Sequence, residues 1–269
     1  MKRTGKSVKK NVKIYILADM EGISGIRKME QVQADKPAYE EGRRLMTDDI
    51  NVAIDAAFAS GATAVIAADT HGGGGQLRLQ EMDPRAVYET PGSVLLMPSL
   101  DSSFHGVILL GHHARAGTLN GFLDHTMMSN RWFEYRLNGQ VLGEIGIEAA
   151  WAGHYDVPVV AVTGDQAAAD EAKALLGAVE CAVVKKGLGR NNAHCLSIPA
   201  AHEAIRKAVM DAVAAIGKFK PFKPKFPATV ELTLYRSDYA DDAMWSGEIT
   251  RVDARTIRKT AKTALNAMI

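Results

Sequence analysis

Short apolar runs alternate with longer amphipathic stretches along residues 12–184. The runs have the length and β-branched content of buried strands, and the longer stretches repeat apolar residues at helical spacing. This alternation is typical of a parallel sheet covered by helices. It predicts strands at 13–18, 64–68, 94–97, 106–110, 131–137, 157–162 and 179–184, and helices at 39–60, 142–153, 166–176 and 199–216.

Some helix boundaries can also be predicted from single residues. In the first predicted helix, Leu45, Ile50 and Ile54 fall on one face, and Gly61 supplies a stop. Asp165 precedes an alanine-rich stretch and is a residue type that caps the N-terminus of a helix.

The pattern changes near residue 217. Prolines recur at every third position up to residue 227, with lysine and phenylalanine between them, which predicts an extended linker. Beyond it we predict a strand at 229–235, a short helix near 241–245 and a final helix at 254–268. The predicted fold is therefore α/β, a mainly parallel sheet with flanking helices in residues 1–195, followed by a smaller α+β unit in residues 196–269, which includes the helix before the linker.

Charge and composition narrow the class of protein. The 269 residues include 32 Lys and Arg against 31 Asp and Glu, a balance that argues against a nucleic-acid interface or binding to a membrane surface. The basic first ten residues are expected to be a solvated terminus. No apolar stretch approaches the roughly 20 residues of a membrane span, and none has the form of a signal peptide. The two cysteines form no pattern, so a cytoplasmic protein is expected.

Metal-binding side chains follow three of the predicted strands. Asp19 and Glu21 come directly after the first strand, His71 follows the second, and His112 and His113 follow the fourth. The carboxyl ends of parallel strands meet at one edge of a sheet, where α/β proteins build their sites. The sequence therefore predicts a metal site at this edge.

The residue types of these candidate ligands favour two metal ions of the zinc class. Zinc accepts imidazole and carboxylate ligands, and several carboxylates with few imidazoles suit two ions that share one carboxylate. Each residue also has a plain structural interpretation as a turn, cap or solvated residue, which we favour for Asp69 and Asp124. Neighbours on a strand point to opposite faces, so only one of His112 and His113 is expected in the site. The full set of candidate ligands is Asp19, Glu21, Asp69, His71, His112, His113, Asp124, His125 and Glu144.

Five short motifs carry these residues. They are DMEGISG at 19–25, DTH at 69–71, LGHHARA at 110–116, DHTM at 124–127 and GEIG at 143–146. In this order they resemble the motifs of the D-aminopeptidases of the dipeptide-permease operon type, which are zinc-dependent peptidases. The resemblance covers most of the first 200 residues. His112 departs from it, since the family often has tyrosine there, as do Asp124 and Thr126, where the family often has serine.

The resemblance implies two zinc ions per chain, with Asp19 bridging them and His125 acting in catalysis. It also implies short peptide substrates that are cut from the amino end with a preference for D-residues, and a large ring-like homo-oligomer. The remaining ligands that it implies are Glu21 and His71 for the first ion, and His113 and Glu144 for the second.

We therefore predict a cytoplasmic dizinc aminopeptidase acting on short D-amino-acid peptides, with its metal-binding catalytic domain in residues 1–195. Two alternatives stay open. The first keeps the metals and changes the substrate, giving an L-aminopeptidase, an amidase or a phosphoesterase, although Arg115 is the only obvious basic residue for a phosphate. The second is a non-catalytic peptide-binding protein, which the presence of all six implied residues disfavours.

Overall fold

The computed structural model describes residues 11–91 and 96–269. In chain order the strands are β1 (Lys13–Ala18), β2 (Ala64–Asp69), β3 (Val87–Glu89), β4 (Gly106–His112), β5 (Trp132–Leu137), β6 (Gln140–Leu142), β7 (Val159–Asp165), β8 (Glu180–Gly189), β9 (Asn192–Cys195), β10 (Ala228–Leu234), β11 (Thr250–Arg251) and β12 (Thr256–Ala261). The helices are α1 (Tyr39–Ala59), α2 (Glu144–His154), α3 (Gln166–Leu176), α4 (Ile198–Ala214) and α5 (Ser237–Ala243).

Seven strands form the larger sheet, in the order β3-β2-β1-β4-β7-β8-β9. All neighbours are parallel except β8 and β9. Every residue of β4 and β7 is buried, because helices cover both faces of the sheet. Ile54 of α1 and Ile205 of α4 share one core with Ile14, whereas Ile145 of α2 shares the opposite core with Tyr15. This confirms the predicted α/β fold with flanking helices.

The smaller sheet is antiparallel and has five strands, in the order β11-β12-β10-β5-β6. Its core includes Trp132 and Tyr135 of β5, Leu232 of β10 and Ile257 of β12. Ile147 of α2 belongs to the same core, so this helix packs between the two sheets.

One strand and one helix pack in a different part of the fold from the one that the sequence predicted. The strand predicted at 131–137 pairs in the smaller sheet instead of the parallel sheet. Helix α4, which was predicted as part of the C-terminal unit, packs beside α1 on the larger sheet. The smaller sheet therefore takes strands from two separate stretches of the chain, which local sequence patterns do not reveal. The division at residues 195 and 196 stays a prediction.

The predicted final helix at 254–268 was wrong. Residues Thr256–Ala261 form strand β12, and a short 3-10 turn follows at Ala264–Asn266. Ile257 and Ala261 are the buried positions of this strand. A spacing of four residues lies on one face in a helix and also in a strand, so periodicity alone could not distinguish them.

Residues 1–10 and 92–95 lie outside the described residues. The basic arm falls on the first of these ranges, and part of the strand predicted at 94–97 falls on the second. In the described part of the chain, no helix has the length and apolar character needed to cross a membrane.

Candidate metal centre

The centre lies at the carboxyl edge of the larger sheet, where β1 is flanked by β2 and β4. Asp19 follows β1 directly, His71 follows β2 after one intervening residue, and His113 follows β4 directly. The backbone N–H of Asp19 donates to the carbonyl of Leu110 at 2.8 Å, which joins the ends of β1 and β4. The topology thus brings three motifs that are distant in sequence to one place.

Glycine is required where the two turns at this edge touch. The N–H of Gly22 donates to the carbonyl of Gly111 at 2.7 Å. A Cβ atom on Gly22 would lie 2.1 Å from the carbonyl oxygen of His112, and one on Gly111, at φ +73°, would lie 2.4 Å from the carbonyl oxygen of Asp19. Any larger residue would separate the turns that carry the site, since such contacts are far inside van der Waals distance.

The first group of candidate ligands is Asp19, Glu21 and His71. His71 Nδ1 lies 3.2 Å from Asp19 Oδ1 and 3.1 Å from Glu21 Oε2. Its other nitrogen, Nε2, lies 2.8 Å from the carbonyl oxygen of Val32. That contact orients the ring, so Nδ1 faces the two carboxylates.

The second group is His113, His125 and Glu144. Glu144 is the first residue of α2, and its Oε1 lies 3.4 Å from His113 Nε2 and 3.6 Å from His125 Nε2. The two imidazole rings stack with centroids 4.0 Å apart. Asp19 connects the two groups, because its Oδ2 lies 3.3 Å from His113 Nε2 while its Oδ1 faces His71.

The donor atoms fit metal ions. His113 Nδ1 lies 2.9 Å from the carbonyl oxygen of Ala114, and His125 Nδ1 lies 2.9 Å from that of Leu123. With the N–H groups placed on these contacts, the opposite ring nitrogens direct lone pairs at carboxylates. His113 Nε2 is buried and makes no hydrogen bond within the described residues. Such an arrangement is stable only with a cation or proton between the groups, and imidazoles held through their other nitrogen are typical of metal ligands.

The pKa shifts of these residues also indicate that the centre favours a positive charge. Burial alone would lower the pKa of His71, but the carboxylates of Glu21 and Asp19 raise it to about 12. Glu144 and Asp19 likewise raise the pKa of His113 well above its usual value, despite burial. Burial of Asp19 would raise its pKa, but His113 and His71 hold that pKa well below its usual range.

Asp69 and Asp124 stay outside both groups, in accord with their structural interpretation. Asp69 accepts the backbone N–H of Gln76 at 2.7 Å and thereby closes the glycine-rich loop at 72–75. Asp124 accepts the backbone N–H of Gly117 at 2.6 Å and forms an ion pair with Arg190 at 3.1 Å.

His112 points away from His113, as the strand alternation predicted. It is fully buried, and its Nε2 lies 2.5 Å from Glu148 Oε2. Glu148 borders the same cavity as the metal-binding residues, yet the sequence analysis did not single it out. Its spacing of four residues from Glu144 on a helix was the signal that could have identified it.

Lys185 is a second residue that the sequence analysis missed. Its side chain is buried on β8, and its Nζ donates to the carbonyl oxygens of Glu21, Ile23 and Ile26 at 2.7–2.8 Å. These hydrogen bonds hold the turn that carries Glu21. Nothing in the local pattern marks a strand lysine as buried, because lysine is nearly always solvated.

The candidate centre opens into a cavity of about 760 Å³. One wall holds the acids and histidines, and Trp132, Met127, Met268 and Ile269 contribute to the other. The smaller sheet thus supplies apolar surface opposite the polar edge of the larger one.

Adjacent groups of carboxylates and imidazoles at the carboxyl edge of a parallel sheet are typical of metal-dependent hydrolases with two metal ions. The chain matches the family model described as D-aminopeptidase over residues 12–269. It is 34% identical over 262 residues to the D-aminopeptidase of Bacillus subtilis (strain 168), which covers 95% of this chain and 94% of that relative. The chain therefore belongs to the D-aminopeptidase family, which confirms the resemblance of the five motifs.

The fold is also similar to that of a solved relative. This is the Zn-dependent D-aminopeptidase DppA from Bacillus subtilis, described as a self-compartmentalizing protease. The TM-score is 0.92 at 32% identity, and the match covers 95% of this chain and 94% of the other.

Proposed function

We propose that this chain is a zinc-dependent aminopeptidase that removes D-residues from the amino end of short peptides. The observation that carries the proposal is Asp19, whose two carboxylate oxygens face two separate groups of ligand atoms. The preference for D-residues is supported by the family and by the names of both relatives.

Zinc would be held by Asp19 together with two residues on each side. When bound, zinc lowers the pKa of a coordinated water to about 7 and polarises a carbonyl, which is what hydrolysis of a peptide bond requires. All five residues are imidazole or carboxylate donors, the types that zinc accepts in catalytic sites. The proposed ligands are Glu21 and His71 on one side, His113 and Glu144 on the other, and Asp19 between them.

His125 would move the proton that the leaving amine must receive. Its side chain borders the cavity, and its Nδ1 contact with the carbonyl of Leu123 orients the ring so that Nε2 faces inward. An imidazole is suited to this step because its ordinary pKa lies near neutral pH. Its distance from Glu144 also permits a role as a ligand, so the variants below separate the two roles.

We further propose a homo-oligomer that encloses its active sites, which is supported by the description of the solved relative as self-compartmentalizing. We also propose that the protein is cytoplasmic, which is supported by its two free cysteines, Cys181 and Cys195. The oligomer is tested by light scattering of purified protein, which should report a mass many times that of one 29.0 kDa chain.

The direct test measures zinc and turnover in the same sample. Plasma mass spectrometry should find close to two zinc ions per chain, and dialysis against a chelator should abolish hydrolysis of D-alanyl-D-alanine until zinc is restored. The matched L-alanyl-L-alanine should be hydrolysed more slowly. Protein that neither contains nor takes up zinc would refute the proposal, and faster cleavage of the L-peptide would leave an L-aminopeptidase.

A further inference from the structure

We propose that Glu148 binds the free α-ammonium group of the substrate and so directs cleavage to the amino end of peptides. This assignment rests on the proposed aminopeptidase function, and it names the residue that selects the end of the chain. Glu148 is not part of either group of candidate metal ligands.

Glu148 lies on α2 close to the candidate metal centre. It lies four residues after Glu144, so the two side chains share one face of the helix and are about 6 Å apart along its axis. Both border the cavity, together with Asp19, Glu21 and His71. In a peptide the α-amino nitrogen and the scissile carbonyl carbon are about 2.5 Å apart, and a hydrogen bond spans about 2.9 Å. A substrate whose scissile bond lies at the metal centre would therefore have its amino group near Glu148.

The Glu148 carboxylate has different contacts at its two oxygens. His112 is fully buried behind it and contacts only one of its oxygens, Oε2, at 2.5 Å. The other oxygen, Oε1, has no hydrogen-bond partner within residues 11–91 and 96–269. Glu148 is only 1% exposed, so one oxygen of a nearly desolvated carboxylate remains available at the edge of the cavity. Such an oxygen binds a cationic donor more strongly than a solvated one does.

The charge of the cavity also favours a cationic ligand at Glu148. Among the described residues that border the cavity there is no lysine and no arginine. Zinc ions would neutralise Asp19, Glu21 and Glu144. Of the acids at the cavity this leaves Glu148, which pairs with His112 through Oε2 and keeps Oε1 for a substrate cation. The α-amino group of a peptide has a pKa near 7.7–8.0 and is mostly protonated at neutral pH. An acylated amino end would offer a bulkier, neutral amide instead and would leave the carboxylate without a cation.

The test compares the wild type with Glu148→Gln, which keeps the size of the side chain and an oxygen for His112. The substrates are D-alanyl-D-alanine and N-propanoyl-D-alanine, which differ only by the amino group. The variant should raise KM for the amino peptide about 10- to 100-fold, as expected for a lost charge-assisted hydrogen bond, with little change in kcat. The preference of the wild type for the amino peptide should fall by the same factor, and zinc content should be unchanged.

Glu171→Gln is the matched control. Glu171 is a part-buried acid of α3 that accepts the backbone N–H of Arg115 and does not border the cavity at the candidate centre. This variant should keep the wild-type KM, kcat and preference. A similar loss in both variants would mean that removing any such acid disturbs the enzyme, and the assignment of Glu148 would then be withdrawn.

Calorimetry separates this assignment from the proposed function. D-alaninol and 1-propanol, which differ only by the amino group and contain no amide bond, are titrated into both proteins, so recognition of the amine is measured without turnover. Glu148→Gln should lose most of the preference for D-alaninol. An unchanged preference would show that the amine binds elsewhere, and loss of zinc from the variant would make Glu148 a metal ligand; either result overturns the assignment. Discrimination that depends on Glu148 in a protein without peptidase activity would instead refute only the proposed function.

Discussion

The two walls of the cavity differ in origin and in chemistry. Near the edge of the larger sheet, turns after parallel strands supply Asp19, Glu21, His71 and His113, the loop before β5 supplies His125, and the first residue of α2 supplies Glu144. Neighbouring donor atoms in this set lie 3.1–3.6 Å apart. The smaller sheet supplies Trp132 and, after its last strand, Met268, which offer apolar surface. The comparison teaches that the candidate metal ligands and the apolar surface come from separate elements, while Glu148 adds a polar group on the side of the ligands. Changes to the candidate ligands should therefore alter turnover or metal content, and changes to Glu148 or to the apolar wall should alter KM.

The largest effect is expected at His125. His125→Ala should lower kcat about 10²- to 10⁴-fold, the usual contribution of a general acid or base, while zinc content stays at the wild-type value. Steady-state kinetics and plasma mass spectrometry on the same preparation check both statements. Loss of zinc would assign His125 to the ligands and change its proposed role.

Glu144 tests the metal-binding wall more directly. Glu144→Ala should lower zinc to about one ion per chain, because only His113 and Asp19 would then remain of the ligands proposed for the second ion. The measurement is zinc per chain after dialysis against buffer containing a weak chelator. Full occupancy would remove Glu144 from the ligand set.

Met268 tests the apolar wall. Met268→Ala should raise KM for short peptides by about 2- to 10-fold, since it removes part of an apolar contact of about 1 kcal/mol, and should leave zinc content unchanged. Its carbonyl oxygen, which accepts the Lys259 ammonium group, is kept in the variant. A loss of zinc in this variant would show that the two walls do not act separately.

The smallest effect concerns the support beneath the metal-binding turn. Asp49 accepts the backbone N–H of Ser24 at 2.8 Å, and its Oδ1 lies 3.1 Å from His202 Nε2. This contact raises the pKa of His202. A raised pKa in the folded state means that the stabilisation is complete below about pH 6.5 and is lost as pH rises through the folded value.

His202→Gln should therefore lower the free energy of unfolding more at pH 5.5 than at pH 8.5, relative to wild type. The difference should not exceed about 1 kcal/mol, because solvent screens the partly exposed histidine. Urea denaturation of both proteins at the two pH values measures it. A larger loss at pH 8.5 would mean that the variant acts through packing.

Sequence patterns predicted the larger sheet better than the smaller one. The strands that end at Ala18 and Asp69 are continuous apolar runs, because both of their faces are covered by helices, and such runs are easily recognised. The strand at Thr256–Ala261 is short and half-exposed, and its buried positions suited a helix equally well. Its identity depends on pairing with β10, which local periodicity does not contain.

The sequence by itself determined the family, the residue types of the candidate centre and the opposite orientations of the His112 and His113 side chains. These follow from motifs and from a two-residue period that every strand obeys. Only the tertiary structure decided that Glu148 borders the cavity, that Lys185 is buried under the turn that carries Glu21 and that the segment after β12 forms part of a wall. Each of these depends on contacts between residues far apart along the chain, and such contacts are set by the packing of whole elements. A local pattern records the preference of a residue for burial or exposure, whereas the fold determines which distant residues become its neighbours.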